Sequence, residues 1–163
     1  MTKAQILKIE LTDQDATSAL AAEIAGRLQQ GDVVALSGDL GAGKTAFARA
    51  YIQARGQQEG LLIDEVPSPT FTIVQVYDEL DPPVWHVDLY RLEGRADTFE
   101  LGLEEAFEDG ITLIEWPDRL GDDLPSNHLS LHLHINDRQG ARIAELTEYG
   151  GTNRLAGLEA SLD

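Results

Sequence analysis

Cysteine is absent from the 163 residues, lysine occurs three times and never after Lys44, and no apolar run approaches bilayer-spanning length. Without thiols there is neither a disulfide framework nor a thiolate metal site. Without a lysine beyond Lys44, the Asn-Lys-x-Asp signature that reads guanine cannot occur, so any nucleotide preference points to adenine. The opening Met1-Thr2-Lys3-Ala4-Gln5 lacks a basic stretch followed by an apolar one, and the expectation is a soluble, cytoplasmic protein without membrane association. Positive charge is scarce as well: 12 Lys and Arg stand against 29 Asp and Glu, a net charge of −17. A surface this acidic repels phosphate backbones, so nucleic acid is reached only indirectly, through a partner. The same acidity reflects a saline habitat as readily as a function.

What is present is a phosphate-binding loop. Gly38-Asp39-Leu40-Gly41-Ala42-Gly43-Lys44-Thr45 matches G-x-x-x-x-G-K-[ST] at every fixed position. It follows Val33-Val34-Ala35-Leu36, a short β-branched run typical of a parallel strand covered on both faces. It precedes Phe47, Ala48, Tyr51 and Ile52, which have helical spacing, with Gly56 read as the stop. The glycines let successive N–H groups point at a phosphate, and the helix N-terminus adds partial positive charge. Lys44 then bridges β- and γ-phosphates and Thr45 offers its hydroxyl to Mg²⁺. Bound ATP with Mg²⁺ is the expectation.

The length is that of one domain, expected over residues 1–150, with 151–163 a weakly patterned C-terminal tail. The fold expected is an α/β three-layer P-loop domain with a mixed, partly antiparallel central sheet. Ile6 to Ile9 reads as an opening strand, and Thr12 with Asp15 as a capping box for a helix through Leu20, Ile24 and Leu28, closed by Gly31. Two prolines force Pro67-Ser68-Pro69-Thr70-Phe71 into an extended loop. Residues 72–77 and 84–90 flank a turn-rich stretch and predict an antiparallel hairpin. Residues 97–108 predict an amphipathic helix ending at Gly110, and Ile111 to Ile114 a buried strand. A last hairpin joins 129–135 to 141–146 across a turn at 136–140.

Mg²⁺ beside Thr45 calls for a carboxylate at the end of another strand. Asp88 and Glu115 both qualify. Strand alternation puts His86, Asp88 and Tyr90 on one face, and Glu115 ends an apolar run at the carboxyl edge, where α/β sheets bind ligands. Either acid can ligate the cation or orient water. The plainer reading has them capping turns or pairing with Arg91 and Arg119. Thr70 is a switch candidate sensing the γ-phosphate, or a hydroxyl completing a proline turn. Trp116 could cover the nucleotide or dock a partner, but reads best as a core tryptophan. His132 and His134 share a strand face without an evident third ligand and read as surface or core histidines. The nine arginines are scattered, which argues against a small-molecule kinase with an arginine lid; such a phosphotransferase is the alternative function.

Four segments, the phosphate loop, Ser68-Pro69-Thr70-Phe71, His86-Val87-Asp88-Leu89-Tyr90-Arg91-Leu92 and Leu113-Ile114-Glu115-Trp116-Pro117, occur in this order. Together with Leu101-Gly102-Leu103-Glu104-Glu105 they resemble the TsaE (YjeE) family, the ATPase subunit of bacterial tRNA threonylcarbamoyladenosine biosynthesis. The resemblance runs from Thr12 to about Leu146. It implies a slow Mg²⁺-dependent ATPase that binds the TsaB and TsaD proteins and supports turnover of their synthase, with tRNA met only through those partners. Carried over by position, Asp39 to Thr45 bind nucleotide, Lys44, Asp88 and Glu115 are catalytic, and Thr45, Asp88 and Glu115 hold Mg²⁺. Trp116 is a neighbour of the site, and Thr17 and Arg138 are further nucleotide contacts.

Overall fold

The computed structural model describes residues 5–39, 42–63, 74–90, 101–135, 141–150, 153–158 and 162. Seven strands form one sheet: β1 (Gln5–Leu11), β2 (Val33–Gly38), β3 (Val74–Tyr77), β4 (Val84–Asp88), β5 (Ile111–Glu115), β6 (His128–Ile135) and β7 (Arg142–Tyr149). Their spatial order is β1-β7-β6-β2-β5-β4-β3. The central strands β6, β2, β5 and β4 run parallel, while β3, β7 and β1 pair antiparallel at the flanks. The mixed sheet and both hairpins are those expected from the sequence, although the turn at 136–140 lies outside the described residues.

Alternation along the strands splits the core in two. Val34, Leu36, Ile111, Leu113, Leu129, Leu131 and Leu133 meet α1 (Gln14–Ala25) and α2 (Lys44–Gln58) on one face. Val33, Val87 and Ile114 meet Leu103 of α3 (Leu103–Asp109) and Leu120 of a 3₁₀ segment (Pro117–Asp123) on the other. Burial of side chains such as Phe47 and Ile52 stabilises by roughly 1.5–3 kcal/mol each. It is this apolar stripe, rather than helix propensity, that fixes α2 behind the phosphate loop. Leu155 and Leu158 of the tail join the same core. Arg154 is tied to Asp32 at 2.7 Å, and the Arg27 guanidinium donates to the Ala156 carbonyl at 2.6 Å.

The helix boundaries correct the sequence reading in four places. Asp13, not Thr12, caps α1, because its carboxylate accepts from the Ala16 N–H at 2.9 Å. The helix ends at Ala25 with Gly26 as its cap, whereas Gly31 turns the chain into β2 and donates to the Gly110 carbonyl. Leu28 is buried beyond the helix. Gly56 does not stop α2, which continues to Gln58; a Cβ there would press on the Ile63 side chain at 3.0 Å, so the glycine serves close packing. The segment read as one helix over 97–108 is interrupted at Gly102, in the left-handed region (φ 73), and α3 starts after it. Residues 97–100 lie outside the described residues.

Candidate functional site

The parallel strands β2, β5 and β4 end side by side, with Leu36 paired to Glu115 and Glu115 to Asp88. This is the carboxyl edge at which open α/β sheets bind ligands. Gly38 closes β2 at φ 136, and a Cβ on it would run into the Leu133 carbonyl of β6. Only glycine fits where the chain leaves the sheet. Gly43 caps α2 in the left-handed region at φ 107, so α2 presents its first N–H groups toward the loop. Leu40 and Gly41 lie outside the described residues.

Lys44 is buried at the first turn of α2. Its ammonium donates to the Gly38 and Asp39 carbonyls at 2.7 and 3.0 Å and lies 4.3 Å from the centroid of the Trp116 ring. Burial pushes its pKa below the ordinary lysine value, against the opposing pull of Glu115, Asp88 and Asp39. Thr45 Oγ1 donates to the Glu115 carboxylate, 2.9 Å from Oε1 and 3.1 Å from Oε2. Glu115 Oε2 also meets His86 Nε2 at 2.7 Å. Asp88 Oδ1 accepts the Tyr90 N–H at 3.0 Å. Burial raises the Asp88 carboxyl above its usual range, and of its neighbours the Tyr90 N–H opposes the shift while Glu115 adds to it.

Gly43, Lys44, Thr45, Asp88, Tyr90, Glu115 and Trp116 thus line one cleft of about 230 Å³. A hydroxyl and two carboxylates face it, an all-oxygen donor set suited to a hard divalent cation such as Mg²⁺. Among the described residues no three His, Asp or Glu side chains form a metal cage. Phosphate oxygens and water would therefore complete the shell.

A second cleft of about 250 Å³ adjoins the loop and is lined by Asp13, Thr17, Ala42, Gly43, Leu133 and Arg142 among others. Thr17, on α1, is therefore brought to the loop from the far side of the sheet order. Arg142 Nε donates to the Ala42 carbonyl at 3.1 Å.

The sequence reading overlooked Arg142 and gave His86 no contact. Arg142 carries no local motif, and the diagonal contact of His86 needs the β4–β5 register. The reading of Trp116 as a core residue holds in part: it packs against the smaller core but is only half-buried, has a left-handed backbone (φ 63) and sets its ring 5.0 Å from Tyr90, tilted by 38°, at the cleft wall. Among the described residues neither Asp88 nor Glu115 forms an ion pair with Arg119, whose backbone N–H instead closes a turn on the Trp116 carbonyl. Thr70, Arg91 and Arg138 lie outside the described residues. His132 Nδ1 meets Ser37 Oγ at 2.7 Å and His134 meets Glu145 at 3.3 Å.

The sequence profile of the family described as "Threonylcarbamoyl adenosine biosynthesis protein TsaE" matches residues 11–144. The chain is similar to the tRNA threonylcarbamoyladenosine biosynthesis protein TsaE of Nostoc, 39% identical over 93% of this chain and 92% of that one. It is also similar to the protein of the same name from Bacillus subtilis, at 36% identity over 91% of this chain and 88% of that one. The crystal structure of Bacillus subtilis YdiB superposes with a TM-score of 0.76 and 30% identity, covering 99% of this chain and 97% of that one.

Proposed function

The chain belongs to the TsaE family, and from that premise we propose that it is a Mg²⁺-dependent ATP-binding subunit of tRNA threonylcarbamoyladenosine biosynthesis. In this reading it hydrolyses ATP slowly and supports turnover of a cytoplasmic synthase containing TsaD and TsaB. The observation that carries the nucleotide part is the convergence of Lys44, Thr45, Asp88 and Glu115, from three elements, on one cleft. The relatives named for tRNA threonylcarbamoyladenosine biosynthesis carry the pathway part.

The phosphates of ATP would lie along the loop, whose backbone turns at Gly38 and Gly43 and leads into the N-terminus of α2. Lys44, two of whose donors are held by loop carbonyls, meets the β- and γ-phosphate charge. Thr45 and Asp88 would hold the cation, and Glu115 would share that shell or orient the attacking water. Mg²⁺, when bound, neutralises charge on the β- and γ-oxygens. Thr17 and Arg142 stand beside the loop to contact the remainder of the nucleotide. With a net charge of −17, the chain meets tRNA through its partners.

Calorimetry with ATP, with and without Mg²⁺, and phosphate release alone and with the TsaB–TsaD pair test this reading. Mg²⁺-dependent binding, slow turnover and recovery of the pair in an ATP-dependent pull-down are expected. Turnover stimulated by a small metabolite instead, with no protein recovered, overturns it in favour of a phosphotransferase.

A further inference from the structure

We propose that His86 is a positioning residue that fixes the Glu115 carboxylate in the cleft, an inference that rests on the ATPase reading above. His86 is fully buried, and its Nε2 lies 2.7 Å from Glu115 Oε2. An ionised carboxylate only accepts hydrogen bonds, so the imidazole donates and carries its proton on Nε2. The other ring nitrogen, Nδ1, is buried without a hydrogen-bond partner among the described residues. Among the described residues the hydrogen bonding of this ring therefore goes to one oxygen of one acid.

The strand register explains how the contact arises. Asp88 is paired with Glu115, and His86 with Leu113. His86 thus sits one step back on the same face as Asp88 and reaches Glu115 along the diagonal, within range for a long side chain. The same face of β4 supplies one acid of the cleft and the donor that orients the other. Glu115 has a second donor in Thr45 Oγ1, at 2.9 Å from Oε1. In the ATPase reading Thr45 also has a cation to serve, whereas His86 has no other hydrogen-bond partner among the described residues. His86 is therefore the anchor that keeps Glu115 facing the cleft while the Thr45 hydroxyl changes partner, the role that hydrogen-bonding neighbours of ligating carboxylates play in metal sites.

The test compares wild type with His86→Phe, which keeps a flat buried ring without a donor, and His86→Gln, whose amide can still donate. ATP titrations with and without Mg²⁺ give the Mg²⁺-dependent gain in affinity, and phosphate release gives kcat and KM. For His86→Phe the gain and kcat fall roughly 10-fold or more, while Mg²⁺-free ATP binding, set by the loop and Lys44, is unchanged. His86→Gln recovers a large part of both. Nitrogen-15 NMR of the wild-type protein without nucleotide shows the His86 ring protonated on Nε2 with a slowly exchanging proton.

A His86→Phe protein that keeps the full Mg²⁺-dependent gain and kcat overturns the positioning role alone. Equal losses in Phe and Gln variants overturn it too, as the signature of mere packing. If neither variant folds, the NMR measurement decides, and a ring protonated only on Nδ1 refutes the assignment. A wild-type protein that binds no ATP removes the ATPase reading and this inference together.

Discussion

Thr45 and Glu115, seventy residues apart in sequence, are joined directly: the Thr45 hydroxyl donates to the carboxylate at 2.9 Å. Glu115 ends β5 and Thr45 opens α2, so this one contact locks the carboxyl edge of the sheet to the phosphate loop.

The two acids of the cleft are expected to respond differently to neutralisation. Glu115 is bonded to Thr45 and His86, while Asp88, among the described residues, is held at its own turn by the Tyr90 N–H. Glu115→Gln should retain ATP binding and lose most turnover, as when transition-state stabilisation is removed and ground-state binding is kept. Asp88→Asn should make ATP binding less dependent on Mg²⁺ and slow hydrolysis in consequence. ATP titrations with and without Mg²⁺, followed by phosphate release in the partner complex, check both. Intact turnover in both variants refutes the catalytic assignment.

Lys44→Ala should weaken ATP binding by about 1.5–3 kcal/mol, the worth of charge-assisted hydrogen bonds to phosphate. It also removes the contact to the Trp116 ring, so Trp116 fluorescence should change in the same variant. Calorimetry showing unchanged affinity would falsify the site.

Gly38→Ala should destabilise the protein severely. The residue has a φ of 136 and its Cβ would collide with the Leu133 backbone carbonyl, which a rotamer change cannot relieve. Backbone strain of this kind costs on the order of 1–3 kcal/mol before the clash is added. A thermal melt of the variant within a degree or two of wild type would show that the loop exit is not constrained as described.

An alkaline weak point is expected at Tyr51. Its ring is buried in the main core and its hydroxyl has no hydrogen-bond partner among the described residues. Burial raises the phenol pKa well above its ordinary value, with Arg55 opposing and Asp32 and Glu59 adding to it. The same cause raises Tyr77. The folded value lies above the unfolded one of about 10. The folded state therefore holds the proton longer, and the contribution to stability is complete below about pH 10 and lost as pH rises toward the folded value. Denaturation followed across alkaline pH should show wild type losing stability there, and Tyr51→Phe losing less. At neutral pH the same variant should be as stable as wild type or more so, by on the order of 1 kcal/mol, since no buried hydroxyl goes unpaired. A clear loss of stability at neutral pH would mean that the hydroxyl is satisfied.

The fold was legible wherever local pattern and tertiary demand agree. Val33 to Leu36 and, Thr112 apart, Ile111 to Ile114 are apolar on both faces because the strands are central, and the β3–β4 and β6–β7 hairpins follow from alternating runs around polar turns. Local pattern is ambiguous where glycine has two uses: Gly56 reads as a helix end but lets Ile63 approach, and Gly102 breaks a periodic stretch that reads as one helix. At the N-terminus of α1, Thr12 and Asp13 are both acceptable caps by type. The choice of Asp13 depends on where the chain leaves β1, which sequence does not encode locally.

By itself the sequence determined the phosphate loop, the two strand-end acids and the family, because these rest on residue type at fixed spacing. Only the tertiary structure decided which side chains share the cleft. The pairing of β5 with both β2 and β4 carries Glu115 between Thr45 and His86, and the packing of α1 against α2 brings Thr17 to the loop. The same sheet order sets Arg142 of β7 against the Ala42 carbonyl. Contacts between elements far apart in the chain follow from register and layer packing, and those are properties of the whole sheet rather than of any segment in it.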